Sequence, residues 1–456
     1  MPILPIDTGR YGTAEMKAIF EEDSRLQKML DVEAALAWAH AEVGNIPKKD
    51  AQKIIEVANT KHVQLIRVKE IETQIKHDVT SIVRAFSEAA GSSGAYVHLG
   101  ATSQDINDTA TALQLKEASE LLETKLNDLE EILLKKSQQY KKTIMIGRTH
   151  GQHALPITLG FKFAIWLREN ARHIQRLCQC EERLLVGKMS GAVGTQAGLG
   201  PKALKIQELV MKKLGLKAAD ISNQIIQRDV HAEFILLLSM VASTLDKIAT
   251  EIRELQRPEI GELAEPFEKA KQVGSSTMPH KRNPELCERI SGLAKIVRSL
   301  VVPALEDIPT WHERDLTQTS AERFIIPESC ILADYMINLM SKILNGLQVN
   351  LDRMRENLDL TQGRAMSEAV MIALVMKGMS RQEAHELLRV LTIKSETERQ
   401  PFKNALIEDS VIRAKLAKGG IARALDPGNY LGTTLMQVDL MVKKTRLERK
   451  ARGLVR

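Results

Sequence analysis

The sequence is poor in cysteine, aromatic side chains and long apolar runs, and each shortage excludes a class of protein. Only 4 of the 456 residues are cysteine, too few for a disulfide framework, so we expect reduced thiols in the cytoplasm. The longest apolar run, FILLLSMVA at residues 234–242, is far shorter than the roughly 20 residues that cross a bilayer. The N-terminal residues show no export signal, so we expect no membrane association.

The charge balance argues against a nucleic-acid partner. The chain has 64 basic and 58 acidic residues, a formal net charge of +6, and its only dense basic cluster is the C-terminal VKKTRLERKARGLVR. Nucleic-acid-binding proteins concentrate Lys and Arg on one face and add stacking aromatics, which make up only 4% of this chain. A small anionic substrate held by a few local cations fits the same composition.

Proline is absent between Pro47 and Pro156 and between Pro327 and Pro401, which leaves room for long helices. Apolar residues recur at helical spacing in several stretches, and Asp108 is a plausible N-cap for the first of them. The predicted long helices are residues 108–142, 157–188, 228–257, 285–300 and 321–347.

Four of the five predicted helices are long for a small domain, since 25–35 residues span roughly 40–50 Å. The helix over 228–257 is apolar almost all round, so it must be covered on every side. We therefore predict an all-α protein whose central helix bundle is shared between subunits. The expected domains are residues 1–102, a central domain over 103–351 and a C-terminal domain over 352–456, because turn-formers cluster near these boundaries.

Four segments place turn-formers and reactive groups between the apolar helices. They are HLGATSQDIND (98–108), GRTHGQHALP (147–156), GSSTMPHKRNP (274–284) and WHERDLTQTSAER (311–323). Any one of them alone reads as a capping loop or a structural histidine. Together they hold five of the 11 histidines beside hydroxyl groups, lysine and arginine, and this concentration indicates a catalytic site.

These segments carry a family resemblance. GSSTMPHKRNP is similar to the signature of the fumarase/aspartase/argininosuccinate lyase superfamily. Within that superfamily RYG at residues 10–12, IKHDV at 75–79, GRTHGQHA, SGAVGT at 190–195 and WHERDLTQTSAER resemble the adenylosuccinate lyases. The resemblance implies a homotetramer in which three subunits contribute to each site. It also implies β-elimination of fumarate from adenylosuccinate or SAICAR, giving AMP or AICAR in purine synthesis, without a cofactor or metal.

The resemblance assigns catalytic roles to four residues and a supporting carboxylate contact to Asn283. It implies that Ser275 is the general base, and that Lys281 and closure of a mobile loop favour its alkoxide, because a serine hydroxyl is too weak an acid unaided. It implies that His150 is the general acid and that Glu288 orients it. Lys281 and Asn283 would hold the carboxylate on which negative charge builds.

Substrate contacts carry over in the same way. The phosphate contacts implied by the resemblance are Arg10, Tyr11, Arg314, Ser320 and Arg323, and arginine suits phosphate because its planar fork pairs with two oxygens. Thr102, Ser103 and Gln224 are expected to contact the succinyl part, and His77 to contact the substrate. The remaining predicted site residues are Lys76, Asp78, Thr149 and Ser276.

The sequence departs from the family pattern in places. Leu155 stands where many relatives have glutamate, and ELCE follows the signature where a Ser-Glu ending is more usual. Neither change touches the predicted acid or base. For His280 and His312 both direct substrate contact and a structural role stay open.

Three other interpretations are compatible with parts of the sequence. Another lyase of the superfamily, such as argininosuccinate lyase, would be separated by assaying fumarate release from both substrates. A non-catalytic structural protein on the same scaffold, like a lens crystallin, would show loss of the serine, histidine or lysine, and all three are present. A basic RNA-binding protein would show a steep salt dependence of RNA retention.

Overall fold

The computed structural model describes residues 3–267 and 274–454 of the chain. Helices hold 68% of the chain and the strands are few and short, so the predicted all-α class is confirmed. Among the described residues, no helix combines the length and apolar character that a membrane span requires.

The α-helices follow one another along the whole chain. In chain order they are α1 (Ala14–Phe20), α2 (Glu22–Glu42), α3 (Lys48–Val57), α4 (Leu65–Ile75), α5 (Asp78–Ala90), α6 (Ser103–Gln139), α7 (Leu159–Leu184), α8 (Ala203–Leu214), α9 (Asp229–Gln256), α10 (Glu285–Ser299), α11 (Val301–Glu306), α12 (Thr317–Asn345), α13 (Leu351–Asp359), α14 (Ser367–Val375), α15 (Arg381–Thr397), α16 (Phe402–Glu408), α17 (Ser410–Lys415), α18 (Lys418–Ala424) and α19 (Thr434–Ala451).

The five predicted long helices are present as α6, α7, α9, α10 and α12. The main difference is the start of α6, because the predicted cap Asp108 lies inside the helix. The helix instead begins at Ser103, five residues before the predicted start, and the backbone N–H of Thr102 donates to Asp105 Oδ2 (2.9 Å) in its first turn. Asp108 is only 4% exposed and pairs with Arg228, so its place was set by a distant partner rather than by local capping.

Short strands interrupt the helices. They are β1 (Ile144–Thr149), β2 (Gln152–Thr158), β3 (Val186–Gly187), β4 (Lys217–Ala218), β5 (Leu263–Ala264) and β6 (Gln348–Val349). β1 and β2 form an antiparallel hairpin, β3 pairs in parallel with β4, and β5 pairs antiparallel with β6. The hairpin was not predicted, since residues 147–156 were expected to be a loop between helices.

Two compact units can be described separately. Unit 1 comprises Met1–Asn127, Arg172–Leu245 and Ile290–Leu339, and unit 2 comprises Asp128–Ala171, Asp246–Arg289 and Met340–Arg456. The boundaries fall within the long helices, and the predicted division at residues 102 and 351 stays a prediction.

Each unit has an apolar core of its own. In unit 1, α2 packs against α3 and α8 around fully buried residues such as Leu30 and Phe86. In unit 2, α14, α15 and α16 pack around Leu374 and Phe402. Burying one such side chain stabilises a fold by about 1.5–3 kcal/mol.

Buried thiols agree with the predicted reduced state. Cys180, Cys287 and Cys330 are buried, whereas Cys178 is exposed. Burial raises the pKa of the Cys180 and Cys330 thiols to about 12, so both stay protonated and unreactive near neutral pH.

Candidate active site

The predicted site residues divide between the two units. Unit 1 contains Arg10, Tyr11, Lys76, His77, Asp78, Thr102, Ser103, Gln224, Arg314, Ser320 and Arg323. Unit 2 contains Thr149, His150, Ser275, Ser276, Lys281, Asn283 and Glu288. All predicted phosphate contacts therefore lie in unit 1, and the predicted acid and base both lie in unit 2.

Arg314 lies in unit 1, just before α12, and is held by neutral groups. Its Nη1 donates to Gln224 Oε1 (3.0 Å) and its Nη2 to Thr319 Oγ1 (3.0 Å). Gln224 is itself fixed, since its Nε2 donates to Ala192 O (2.8 Å). Burial lowers the pKa of Arg314, which is the expected cost of desolvating a guanidinium that is bonded to no carboxylate among the described residues. The arrangement favours capture of an anion.

Arg323, in the first turns of α12, is held in a different way. Its Nη2 donates to Asp78 Oδ2 (2.8 Å), and both side chains are about half-exposed. Asp78 is the first residue of α5, and His77 caps this helix by accepting from the backbone N–H of Thr80 (3.3 Å). Lys76 ends α4 with a positive φ of 55°. The hydrogen bond between Arg323 and Asp78 thus brings the SAER segment next to the IKHDV segment.

A buried ion pair that the sequence did not predict fixes Thr102 and Ser103. Asp105 accepts from the backbone N–H groups of Ser190 (2.9 Å) and Gly191 (3.1 Å), and it pairs with Lys188. Both charged side chains are fully buried. The pair ties the segment at 98–108 to SGAVGT. The signal available in the sequence was the aspartate three residues after Thr102, a typical capping position.

The other predicted residues of unit 1 are more exposed. Arg10 and Ser320 are exposed, and the Tyr11 ring packs 5.8 Å from that of Tyr335. His98 contacts the buried carboxylate of Glu33 through its Nδ1 (2.6 Å). His312 is exposed with a φ of 52°, so its role stays open.

A polar cavity of about 120 Å³ lies beside Arg323 in unit 1. Its charged and polar lining consists of Arg25, Gln104, Asn107, Asp108, Thr111, Gln114, Thr319, Glu322 and Arg323. Arg25 donates to Asn107 Oδ1 (3.3 Å), and burial together with the charge of Arg323 lowers its pKa. The cavity is lined by several residues that no sequence pattern indicated.

His150 stands at the tip of the β1–β2 hairpin in unit 2. His150 and Gly151 are the two residues between the strands, with φ of 54° and 73°, as a type I′ turn requires. Both are exposed. Two residues before the turn, Arg148 donates two hydrogen bonds to Glu262 (2.8 and 3.0 Å), a fully buried carboxylate. A buried pair therefore anchors the strand that carries the imidazole.

The signature, residues 274–284, folds back on itself. Ser275 Oγ accepts from the backbone N–H groups of Thr277 (3.3 Å) and Met278 (3.1 Å). Asn283 Nδ2 donates to Gly274 O (3.1 Å). A Cβ on Gly274 would lie 2.1 Å from Lys281 O, so only glycine fits this close approach. Lys281, Ser276 and His280 are exposed.

Glu265 is a further unpredicted residue of this region. Its carboxylate accepts from the backbone N–H groups of Leu286 (3.1 Å) and Cys287 (3.0 Å) and so caps the start of α10, which carries Glu288. Within the described residues, His150 and Glu288 make no hydrogen bond or ion pair with each other, and neither do Ser275 and Lys281. The contacts predicted between these residues stay predictions.

Comparison with known proteins decides the family. Residues 9–298 match the family described as Lyase, and residues 363–441 match the family described as Adenylosuccinate lyase C-terminus. The adenylosuccinate lyase of Pyrococcus horikoshii is 52% identical over 454 residues, covering 100% of both chains. The chain belongs to the adenylosuccinate lyase family. It is therefore a lyase, as predicted.

Other relatives agree with this membership. The adenylosuccinate lyase of Methanocaldococcus jannaschii is 48% identical over 97% of this chain and 96% of its own. Among solved structures, the fumarate lyase from Mesorhizobium sp. BNC1 matches with a TM-score of 0.89 and 32% identity, covering 97% of this chain and 100% of that one. The 3-carboxy-cis,cis-muconate lactonizing enzyme from Pseudomonas putida gives 0.89 and 34%, covering 97% and 99%. Because that enzyme has another name and reaction, the fold alone does not define the activity.

Membership in the adenylosuccinate lyase family does not by itself assign roles to individual residues, which depend on the chemical groups that each side chain offers. Within residues 3–267 and 274–454, no group of three or more His, Cys, Asp or Glu side chains is arranged to hold a metal ion. The predicted site residues offer hydroxyl, imidazole, ammonium, guanidinium, carboxylate and amide side chains. These can move protons and bind anions.

Proposed function

We propose that the chain eliminates fumarate from adenylosuccinate, giving AMP, and from SAICAR, giving AICAR. Full-length similarity to adenylosuccinate lyases of archaea supports this proposal. The structural observation that carries it is Arg314, a partly buried guanidinium whose partners Gln224 and Thr319 are neutral. Such a cation suits the phosphate that both substrates have in common.

Ser275 is the general base of this proposal. It removes the carbon-bound proton next to a carboxylate of the succinyl group. The backbone N–H groups of Thr277 and Met278 support this role, because hydrogen bonds donated to the serine oxygen favour its anionic form. The ammonium of Lys281 adds positive charge in the same loop and stabilises the enediolate that forms on the substrate.

His150 is the general acid. It protonates the nitrogen that leaves as the C–N bond breaks, giving the amine of AMP and the fumarate dianion. Ser275 takes one proton from carbon and His150 gives one to nitrogen, so the step needs no oxidant or reductant. Its exposed position at a hairpin tip makes the ring accessible to substrate, and the Arg148–Glu262 pair keeps the hairpin in place. Glu288 is the proposed orienting carboxylate.

The remaining predicted residues bind substrate. The proposed phosphate contacts are Arg10, Tyr11, Arg314, Ser320 and Arg323. The proposed contacts to the succinyl part are Thr102, Ser103, Gln224 and Asn283. Lys76, His77, Asp78, Thr149 and Ser276 complete the proposed contacts.

The proposal includes a homotetramer with shared sites in the cytoplasm. Apolar side chains of α9, α10 and α11 support assembly, since Leu236 (38%), Ile296 (47%) and Leu305 (46%) are exposed in the single chain. The buried thiols of Cys180, Cys287 and Cys330 suit a reducing compartment.

Ultraviolet absorbance after addition of adenylosuccinate tests the activity, and two variants test the roles. We expect Ser275→Ala and His150→Ala to lower kcat by about 100-fold or more, because each removes one proton-transfer group. Ser299→Ala and His385→Ala remove the same groups from exposed positions elsewhere and are expected to change nothing. Near-normal turnover in the first two variants would refute the assigned roles.

A further inference from the structure

Gln104, which no sequence pattern indicated, connects Arg314 to a buried ion pair of unit 1. It is 5% exposed and follows Thr102 and Ser103 in the first turn of α6. Its amide lies between a carboxylate that only accepts and a guanidinium that only donates, which fixes its orientation. Its nitrogen then donates to Asp108 Oδ1 (3.1 Å), and its oxygen accepts from Arg314 Nη2 (2.7 Å).

The ion pair behind Gln104 is rigid. Asp108 accepts two hydrogen bonds from Arg228 (3.0 and 3.1 Å) and one from the backbone N–H of Ile226 (2.8 Å). Arg228 is only 3% exposed and is also paired with Glu322 (2.6 Å). The carboxylate of Asp108 is therefore held by three hydrogen bonds from buried or part-buried donors.

We propose that Gln104 is a positioning residue for Arg314, transmitting the fixed position of the Asp108–Arg228 pair to the guanidinium that binds the substrate phosphate. The proposal rests on the proposed function, which assigns that phosphate to Arg314. With Gln104, the guanidinium has three neutral partners, the others being Gln224 and Thr319.

A neutral amide suits this task better than a carboxylate would. A carboxylate in contact with Arg314 would neutralise its charge and compete with phosphate for the same donors. It would also lie about 3 Å from Asp108, where two negative charges repel. Gln104 fixes the direction of Arg314 while leaving its full positive charge for the ligand.

The same helix offers a matched control. Gln114 also lies on α6, is 5% exposed and lines the same cavity as Gln104. Its Nε2 donates to Ile19 O (2.7 Å), and no hydrogen bond joins it to Arg314 within the described residues. A change at Gln114 therefore reproduces the loss of a buried amide without interrupting the connection to Arg314.

The test compares AMP with adenosine as competitive inhibitors of fumarate release by the purified enzyme. For Gln104→Leu we expect the Ki of AMP and the KM to rise about tenfold, the size of one lost hydrogen bond to a charged group. The Ki of adenosine, which has no phosphate, and kcat should stay within about twofold, because the lost contact is the same in ground and transition states. Gln114→Leu should leave the ratio of the two Ki values unchanged.

Two further variants separate the possible failures. Gln104→Met keeps the unbranched shape of the side chain and places no charge beside Asp108, so it is the second variant if the leucine variant does not fold, and it should also weaken AMP more than adenosine. Arg314→Ala should lose the preference for AMP. Equal weakening of AMP and adenosine in the Gln104 variants, or an unchanged AMP Ki while Arg314→Ala loses the preference, would overturn the positioning role alone. If Arg314→Ala also keeps the preference, the phosphate assignment in the proposed function fails as well.

Discussion

The two arginines of the candidate phosphate site differ in how firmly their present partners hold them. Arg323 and its partner Asp78 are 51% and 42% exposed, and exposed pairs contribute only about 0–1 kcal/mol. A phosphate dianion can therefore displace Asp78 at little cost. Within the described residues Arg314 makes no ion pair with a carboxylate, so neither arginine has to break a strong ion pair in order to bind an anion.

His98 provides a pH-dependent contribution to stability. Burial opposes its charged form, but the hydrogen bond and charge of Glu33 outweigh burial and raise the pKa of His98 above its usual 6.5. A raised folded-state pKa gives stability that is complete below the unfolded value and is lost as pH rises through the folded value. We expect Glu33→Gln to lower the Tm more at about pH 5.5 than at about pH 9.

Glu70→Gln is the control for this pH dependence. Glu70 is 55% exposed and pairs with Arg67 rather than with a histidine, so its effect on Tm should be small and alike at both pH values. A Glu33→Gln effect that is equal at both pH values would show that the charge of His98 does not contribute to stability.

The sequence predicts the residues of the site more readily than the buried residues that hold them in place. Arg314 and Gln224 were both predicted, and the structure bonds them. The sequence did not predict four supporting residues, Asp105, Lys188, Gln104 and Glu265. Each of them acts through a partner far along the chain, as Asp105 does through Lys188. Local patterns cannot reveal such pairs, and for Asp108 the local capping signal was misleading.

At the scale of elements, the hairpin that carries His150 depends on one buried pair. Glu262 is fully buried and accepts from Arg148 on β1 and from Asn357 Nδ2 (2.8 Å) on α13. Across the hairpin, His153 faces Arg148, and its buried Nδ1 has no hydrogen-bond partner among the described residues. Burial and the charge of Arg148 lower the pKa of His153, which favours the neutral ring beside that guanidinium.

Removal of Glu262 should therefore be costly. In Glu262→Ala the guanidinium of Arg148, 15% exposed, loses its carboxylate, and breaking a buried pair in this way destabilises proteins by about 3–5 kcal/mol. We expect a lower midpoint in urea unfolding and a lower kcat, because the His150 turn loses its anchor.

Glu386→Ala is the matched control, since Glu386 also accepts two hydrogen bonds from one arginine, Arg389, but is 61% exposed. Little change in stability is expected there. A Glu262→Ala variant as stable as this control would mean that Arg148 finds another partner or solvent.

The elements differ in how far the sequence determined them. Long helices were predicted because their apolar periodicity extends over many turns. The β1–β2 hairpin was missed because its two-residue turn is His150-Gly151 rather than the common Asn-Gly, and because β2 leads directly into α7. A short strand pair beside a long helix leaves a weak periodic signal.

At the scale of the whole molecule, exposed apolar side chains indicate a surface that a single chain leaves uncovered. Leu236 and Met240 of α9 lie one turn apart and line one groove of unit 1 with Leu305 and Ile308, and all four are at least 38% exposed. A groove of this kind in a helical protein suits contact with another copy. The predicted acid and its predicted orienting carboxylate are also not in contact within the described chain, which fits a site completed by other copies.

Mixed oligomers test whether the sites are shared. His150→Ala and Ser275→Ala proteins, each inactive, are unfolded together and refolded as a mixture. If one site takes His150 and Ser275 from different copies, random assembly leaves both residues intact in about a quarter of the sites, because each position is wild-type half of the time. Fumarate release should then return to about a quarter of the wild-type rate, whereas either variant refolded alone stays inactive. If a single copy supplies both residues, every site lacks one of them, and the mixture stays as inactive as its components.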